Sequence, residues 1–289
     1  MGNFLVRYRW MLLGFSFLLA LYFFIPHVWL IQSGSDIQYR QQSKKQGERI
    51  TTVGPSTKEW VPFKKISKNT LNAVITSEDS RFYEHEGLDW EEISKSLEKN
   101  LSKKRYARGA STITQQVVKM AFLSREKTLL RKSREAVGAL LLEKLVPKTT
   151  ILEWYLNLAE FGDGVYGIKK ASQHYFQTKP ELLTIQQGIH LALVLPSPNG
   201  WSVGLRRKDL TNFGQKRFEV IAEQMRKNSM ITESQWLNVL ATGNFGRPLL
   251  AYERYANRQQ TALPSIENVA VPLEPGIEEV SAEKEAEKP

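Results

Sequence analysis

The segment from Glu78 to Asp89 brings together the side chains best suited to acid–base chemistry. It places five acids, one histidine and two aromatic rings within twelve residues, directly after the largely apolar run NAVITS. A carboxylate beside apolar surface resists ionisation, so its pKa rises toward neutral pH, as a general base or acid requires. Glu78 adjoins that run and is therefore the candidate base, although composition alone favours a solvated acidic loop.

A second polar cluster lies between Gly109 and Met120, with the sequence GASTITQQVVKM. Its small opening residues include Ser111 and Thr112, either of which can cap a helix. Hydroxyl, amide and ammonium groups near a helix N-terminus suit an anionic or sugar ligand, because free backbone N–H groups point the same way. The alternative is an ordinary amphipathic surface helix. On such a helix one face is polar and ends in a cation, and it comprises Thr112, Gln115, Gln116 and Lys119.

A third cluster, from Arg131 to Lys144, combines a nearly continuous apolar run with Glu135, one turn beyond Arg131. A carboxylate four residues after an arginine is more often a helix-surface ion pair than a catalyst. Only the presence of the other two clusters in the same chain indicates a functional role for Glu135.

Composition excludes several other chemistries. The 289-residue chain contains no cysteine, which removes disulfides, thiolate nucleophiles and cysteine-ligated zinc. Its four histidines show no metal-ligand spacing, and no Walker or Rossmann glycine motif is present. The formal charge of +10 suits anionic partners such as phospholipid headgroups or pyrophosphates, but charge alone does not choose among them.

The elements that must position these clusters are predicted to be mainly helical. Between residues 60 and 254 no sustained alternation of apolar and polar residues favours a sheet, and Asp89 with Glu92 indicates a helix start. Trp10 to Ile31 is a 22-residue apolar stretch, long enough to span a bilayer. The sequence thus predicts five regions: a cytoplasmic N-terminus (1–9), a transmembrane anchor (10–31), a polar stalk (32–54), the catalytic domain (55–264) and an acidic, disordered tail (265–289).

Taken in order, the clusters resemble the glycosyltransferase family 51 domain of monofunctional peptidoglycan transglycosylases and class A penicillin-binding proteins. The second cluster is similar to GGSTITQQ, and the third to RKxxE followed by ILxxYLN at 151–157. Further blocks match at 164–176 and 191–201, so the resemblance covers about residues 60–245. The first cluster fills every position of the pattern EDxxFxxHxGxD, at Glu78, Asp79, Phe82, His85, Gly87 and Asp89.

The resemblance implies a lysozyme-like fold with a large lobe and a smaller jaw that dips into the membrane. It implies that Glu78 deprotonates the 4-hydroxyl of acceptor lipid II, which attacks the donor's anomeric carbon with inversion and expels undecaprenyl pyrophosphate. Lys119, Lys127 and Arg131 would stabilise the pyrophosphate, and Glu135, as a second catalytic residue, would orient these cations or the sugar. The remaining motif residues would bind substrate: Asp79, Phe82, His85, Ser111, Thr112, Gln115 and Gln116.

The same resemblance implies the partners and the location. The partners are lipid II, the growing glycan strand and membrane lipid, together with cell-wall or division proteins, and nucleic acid is not expected. The protein would be a single-pass protein of the cytoplasmic (inner) membrane, with its catalytic domain on the periplasmic or outer side. No cofactor is required, although Mg²⁺ or Mn²⁺ can assist at the pyrophosphate. A transpeptidase domain is not expected, since no KTG motif follows residue 245.

The chain departs from the family pattern at a few positions. Lys127 stands where arginine is usual, which keeps the charge but loses the bidentate grip on phosphate. Gln187 and Gly188 replace a usual Glu-Ala pair, which predicts altered local packing or polarity. Two alternatives stay open: a lysozyme-like muramidase with Glu78 as general acid, and a catalytically silent protein that binds lipid II or acts as a scaffold.

Overall fold

The computed structural model describes residues 25–45, 47–102, 110–124 and 126–262, together with residues 11, 13, 14 and 16. Helices dominate this part of the chain, which confirms the predicted mainly α architecture. Two antiparallel hairpins accompany them, β1 (Ile37–Ser43) with β2 (Gly47–Val53) and β3 (Glu160–Gly162) with β4 (Val165–Tyr166). The helices are α1 (Trp29–Gln32), α2 (Lys68–Glu78), α3 (Trp90–Ser102), α4 (Ile113–Phe122), α5 (Leu129–Leu145), α6 (Lys148–Leu158), α7 (Ile168–Phe176), α8 (Ile185–Val194), α9 (Pro198–Arg207), α10 (Asn212–Lys227), α11 (Glu233–Thr242) and α12 (Leu250–Ala262).

Helices α2 and α8 pack against each other at the centre of the domain. Gly188 of α8 makes their close approach possible: a Cβ atom there would lie 3.0 Å from the Cα atom of Thr70. Gln187 beside it completes a reciprocal cap with Thr184, whose hydroxyl accepts from the Gln187 amide at 3.2 Å. The two departures from the family pattern are thus a packing glycine and a helix cap, and the glycine helps to set the position of α2.

The predicted stalk is corrected in part, because residues 37–53 form the β1–β2 hairpin on the domain. Ile37 and Tyr39 are buried, while Gln38 and Arg40 are exposed, which is the alternation of a half-buried strand. The Tyr166 hydroxyl fastens the end of β1: it accepts from the Gln42 amide and donates to the Gln42 carbonyl, both at 2.9 Å. The sequence of β1 does not show a clear alternation of apolar and polar residues, because the third residue that faces the protein, Gln41, is polar.

The predicted span also needs correction at its C-terminal end. Residues 25–28 are not helical, since Pro26 has no amide hydrogen with which to continue a helix. Beyond them, Val28 and Ile31 are buried in the domain core. Within the described residues, no helix has both the length and the apolar character needed to cross a bilayer.

Several predicted segments lie outside the described residues. They are the cytoplasmic N-terminus (1–9), half of the anchor (10–31) and the acidic tail (265–289), and residues 103–109 of the catalytic domain also lie outside. Helix α3, which ends at Ser102, begins at Trp90, as predicted from its cap. The Asp89 carboxylate accepts from the Glu92 amide at 2.9 Å.

Gly87 provides a test of how tightly the first motif is packed. Its φ is +90°, and an added Cβ would lie 2.8 Å from the Ala139 carbonyl oxygen of α5. We expect Gly87→Ala to lower the free energy of unfolding by about 2 to 6 kcal/mol, because backbone strain and overpacking each cost about 1 to 3 kcal/mol. Gly246→Ala is the matched control: its φ is +87°, but the space around it is open. Urea denaturation of both variants measures the difference, and equal losses would contradict the close contact at Gly87.

Candidate active site

Glu78 is the last residue of α2, and its carboxylate meets a side chain of α4. The Gln116 amide donates a hydrogen bond to it, with 3.1 Å between Nε2 and Oε2. The Tyr155 hydroxyl of α6 in turn donates to the Gln116 side-chain oxygen at 3.3 Å. Because this oxygen is engaged by Tyr155, the NH₂ group of Gln116 is the one that turns toward the carboxylate.

Burial raises the pKa of Glu78 above its ordinary value, since protein atoms surround the carboxylate although part of the residue stays exposed. The hydrogen bond from Gln116 and the positive charges of Arg217 and Lys119 oppose this shift by stabilising the anion, whereas the charge of Asp79 adds to it. A carboxylate with a raised pKa accepts a proton more readily than an ordinary glutamate does. It therefore suits the work of a general base.

Asp79 joins the first motif to the N-terminus of α4. Its carboxylate accepts from the Ile113 backbone amide at 2.9 Å, and His85 Nε2 lies 3.1 Å from both of its oxygens. Asp79 and His85 are both buried. Their polar atoms are thus directed at each other and at α4, which indicates a positioning role and not the predicted contact with substrate.

Phe82 and Thr112 strengthen the same junction. Phe82 has no exposed surface, and the Lys148 ammonium lies 4.5 Å from the centre of its ring. The Thr112 hydroxyl donates to the Gly87 carbonyl at 2.7 Å. The predicted substrate contact of Phe82 is therefore wrong for this structure, because the ring is enclosed by protein.

Helix α4 begins at the predicted cap, and its polar face is divided between two tasks. The Gln115 amide donates to the Thr112 hydroxyl at 3.2 Å, and the Thr112 amide donates to the Gln115 side chain at 3.1 Å. Thr112 and Gln115 are buried by this reciprocal cap, so they do not face a ligand. Gln116 and Lys119, further along the same face, line an open cavity.

This cavity has a volume of about 690 Å³ and combines charged with apolar walls. Four cations line it: Lys119, Lys127 and Arg131, which the sequence had grouped together, and Arg40. Gln116 lines the cavity and also binds the Glu78 carboxylate, so this one side chain joins the two. The apolar lining consists of Met120, Ala121, Phe122, Leu123, Leu158, Leu195, Pro196 and Pro198.

The cations of this site are crowded together. The pKa of Lys119 is lowered, chiefly because neighbouring protein atoms displace water from its ammonium, even though the residue keeps exposed surface. The charges of Lys132 and Arg131 lower it further, whereas the Glu135 carboxylate raises it. Such an ammonium is repelled by the neighbouring cations, so a bound anion would stabilise it.

Glu135 holds this group of cations in place. It is buried, it pairs with Arg131 at 2.6 Å between Nη1 and Oε2, and it contacts the Lys132 ammonium. Lys132 also donates to the Ser111 hydroxyl at 2.8 Å. Glu135 does not line the cavity, so the geometry supports orientation of the cations and not direct catalysis, and Ser111 is tied to the same network.

Some residues of the site were missed from the sequence. Gln38 and Arg40 of β1 line the cavity together with Tyr39, in a segment predicted to be a stalk. Arg217 of α10 acts electrostatically on Glu78 from a part of the chain with no recognised motif. Tyr155 lay within the matched block at 151–157, so a signal for it was present.

Comparison with known proteins identifies the family. The family model described as Transglycosylase matches residues 46–226. A biosynthetic peptidoglycan transglycosylase of Herminiimonas arsenicoxydans is 40% identical over 182 residues, 63% of this chain and 79% of that protein. Proteins of the same name are 39% identical over 201 residues in Janthinobacterium sp. (67% and 87%) and 34% identical over 227 residues in Laribacter hongkongensis (74% and 98%). The chain therefore belongs to the transglycosylase family.

The junction at Asp79 generates a stability prediction. Asp79→Asn leaves one oxygen for two donors, the Ile113 amide and His85, so one buried donor loses its partner. We expect the free energy of unfolding to fall by about 1 to 3 kcal/mol. Asp209→Asn, at an exposed carboxylate 2.7 Å from Arg247, is the control and should change it by about 0.5 kcal/mol or less. Urea denaturation measures both, and equal effects would mean that Asp79 does not hold the junction.

Proposed function

We propose that this chain is a peptidoglycan glycosyltransferase that polymerises lipid II into glycan strands in cell-wall synthesis. The observation that carries the proposal is the Glu78 carboxylate, whose pKa is raised and which is bound to Gln116 beside a cationic and apolar cavity. The relatives named biosynthetic peptidoglycan transglycosylases support the same activity. A lysozyme-like, two-lobed form of the domain belongs to this proposal.

In the proposed reaction Glu78 takes the proton from the 4-hydroxyl of the acceptor lipid II. The hydroxyl oxygen forms a bond to the anomeric carbon of the donor from the face opposite the pyrophosphate, so the configuration inverts. The bond between that carbon and the pyrophosphate oxygen breaks, and its electron pair leaves with undecaprenyl pyrophosphate. Gln116 holds the Glu78 carboxylate in position, and its hydrogen bond limits the rise of the Glu78 pKa.

The cavity suits the leaving group of this reaction. Lys119, Lys127 and Arg131 provide positive charge where negative charge develops on the pyrophosphate, which can stabilise a transition state by a few kcal/mol, about 3 to 4 in measured cases. The apolar walls of the same cavity can contact the first part of the lipid chain. One cavity thus offers contacts for both halves of an amphiphilic anion.

A divalent cation is not built into this mechanism. Within the described residues, no three histidine or acidic side chains come together as metal ligands. The acid nearest the cations, Glu135, is already paired with Arg131 and Lys132. No step of the proposed mechanism therefore uses a protein-held Mg²⁺ or Mn²⁺ ion.

The proposal includes attachment to the cytoplasmic membrane, with the catalytic domain on its outer side. The apolar sequence from residue 10 onward supports an N-terminal anchor. Large apolar side chains are also exposed on the two helices that flank residues 103–128. Trp90 and Leu97 of α3 are 67% and 59% exposed, and Leu129 and Leu130 of α5 are 91% and 64% exposed. Such a surface suits contact with lipid.

The central test is Glu78→Gln, which keeps the shape of the side chain but cannot accept the proton. We expect polymerisation of labelled lipid II to fall by about 100- to 10,000-fold, the usual contribution of general base catalysis. Thermal unfolding should be nearly unchanged. Glu84→Gln is the control, since it alters an exposed carboxylate of the same motif and should retain activity.

The outcomes of this experiment separate the alternatives. Polymer from the wild-type protein supports the proposal, whereas cleavage of finished glycan would indicate a muramidase. Binding of lipid II without turnover would indicate a scaffold. Near-normal turnover by Glu78→Gln would remove Glu78 as the base.

The pH dependence of kcat/KM provides a second test. Activity needs Glu78 ionised, so it should fall as the pH drops through the Glu78 pKa, which lies above the ordinary glutamate value. Gln116→Leu removes a hydrogen bond that lowers this pKa, so the acid limb should move to higher pH. Gln173→Leu, at an exposed position of α7, should leave the limb in place. An acid limb that stays unchanged in Gln116→Leu would show that another group controls it.

A further inference from the structure

Two aromatic rings from neighbouring helices form a corner at the surface, which we call the aromatic corner: Trp201 of α9 and Phe213 of α10. The ring centres are 5.4 Å apart, and the ring planes meet at 70°. Trp201 is partly buried and packs on the core, whereas Phe213 is 63% exposed. Exposure of a single apolar side chain is ordinary, but an exposed ring set against a second ring forms an apolar surface with a defined shape.

A cation completes the aromatic corner. The Arg217 guanidinium lies 5.6 Å from the centre of the Trp201 ring, one turn beyond Phe213 on the same helix. Its Nε atom is buried and has no hydrogen-bond partner within the protein. The Arg217 side chain as a whole is only partly buried. The corner therefore offers an apolar face beside a cation.

The aromatic corner adjoins the catalytic centre. Helix α10, which carries Arg217 and Phe213, packs against α2, which ends at Glu78, and the Arg217 charge acts on the Glu78 carboxylate. Trp201 lies one turn after Pro198, which lines the cavity. The corner is therefore next to both the candidate base and the cavity.

We infer that the aromatic corner binds a pyranose ring of the acceptor, with Phe213 as a substrate-binding residue and Trp201 as the ring that supports it. This inference rests on the proposed function. One face of a pyranose carries C–H bonds with slight positive charge, which complement the negative face of an aromatic ring. The hydroxyl and amide oxygens at the edge of the same sugar are acceptors for the Arg217 donor.

Sugar binding explains these observations better than membrane contact does. A membrane-facing side chain needs only apolar area, whereas the corner combines two rings at a fixed angle with a cation on one of them. Val220 of α10, 51% exposed and one turn beyond Arg217, provides apolar area without a ring contact. It therefore serves as a control for apolar exposure alone.

The experiment compares Phe213→Trp, Phe213→Leu, Phe213→Ala and Val220→Ala in steady-state polymerisation of labelled lipid II by the full-length protein and in binding to phosphatidylglycerol vesicles. Loss of one aromatic contact is worth about a fivefold to tenfold change, so we expect Phe213→Leu to raise KM by that factor with little change in kcat. Phe213→Trp keeps an aromatic face and should stay near the wild-type KM, as should Val220→Ala. Saturation-transfer NMR with the disaccharide of N-acetylglucosamine and N-acetylmuramic acid should show contact with aromatic protons, weakened in Phe213→Leu.

Each result decides between explanations. An unchanged KM and an unchanged NMR signal in Phe213→Leu would overturn the inference, and so would loss of binding to phosphatidylglycerol vesicles in Phe213→Ala with an unchanged KM. In that second case Phe213 contacts the membrane. If the wild-type protein makes no polymer, the proposed function fails, and the NMR comparison still tests the aromatic corner independently.

Discussion

The hydrogen bond from the Ile113 amide to the Asp79 carboxylate is the contact on which the site depends most. It joins the residue directly after the candidate base to the first turn of α4. Helix α4 then presents Gln116 to Glu78 and Lys119 to the cavity. His85, Thr112 and Gly87 reinforce this junction through buried polar contacts. Much of the first motif thus serves to fix the position of the Glu78 carboxylate relative to α4.

Burial affects the two charged groups of the site in opposite directions. It raises the pKa of Glu78 and lowers that of Lys119, because in both cases a charged form loses contact with water. Each group also stabilises the charge of the other and so opposes the pKa shift that burial causes. The site thus holds a base and a cation whose charged forms are both destabilised by desolvation. This favours uptake of a proton by the base and binding of a diphosphate by the cation.

The sequence predicted what depends on local patterns. The cap at Thr112, the start of α3 after Asp89 and the ion pair between Arg131 and Glu135 follow from spacing along one helix, and the structure contains them. The electrostatic effect of Arg217 on Glu78 depends on the packing of α2 against α10, which no short sequence pattern predicts.

The β1–β2 hairpin shows a second reason why sequence reasoning falls short. It was missed because β1 turns a polar residue, Gln41, toward the protein, so the expected alternation is weak. The interior role of Phe82 was also hidden, since a motif residue can be retained for packing as well as for chemistry. Gln187 and Gly188, which differ from the family pattern, acquire their meaning only from the contact between α8 and α2.

Strand β1 is fixed at both ends, and this has a consequence for how the cavity takes up a flexible molecule. Ile31 is buried just before the strand, and the Tyr166 hydroxyl holds both polar backbone atoms of Gln42 at its end. A wall anchored in this way keeps its shape whether or not the cavity is filled. The loss of conformational freedom on binding then falls on the long chain of the guest and not on the protein. The cavity would then discriminate between bound chains of different stiffness through the conformational entropy that each chain loses on binding.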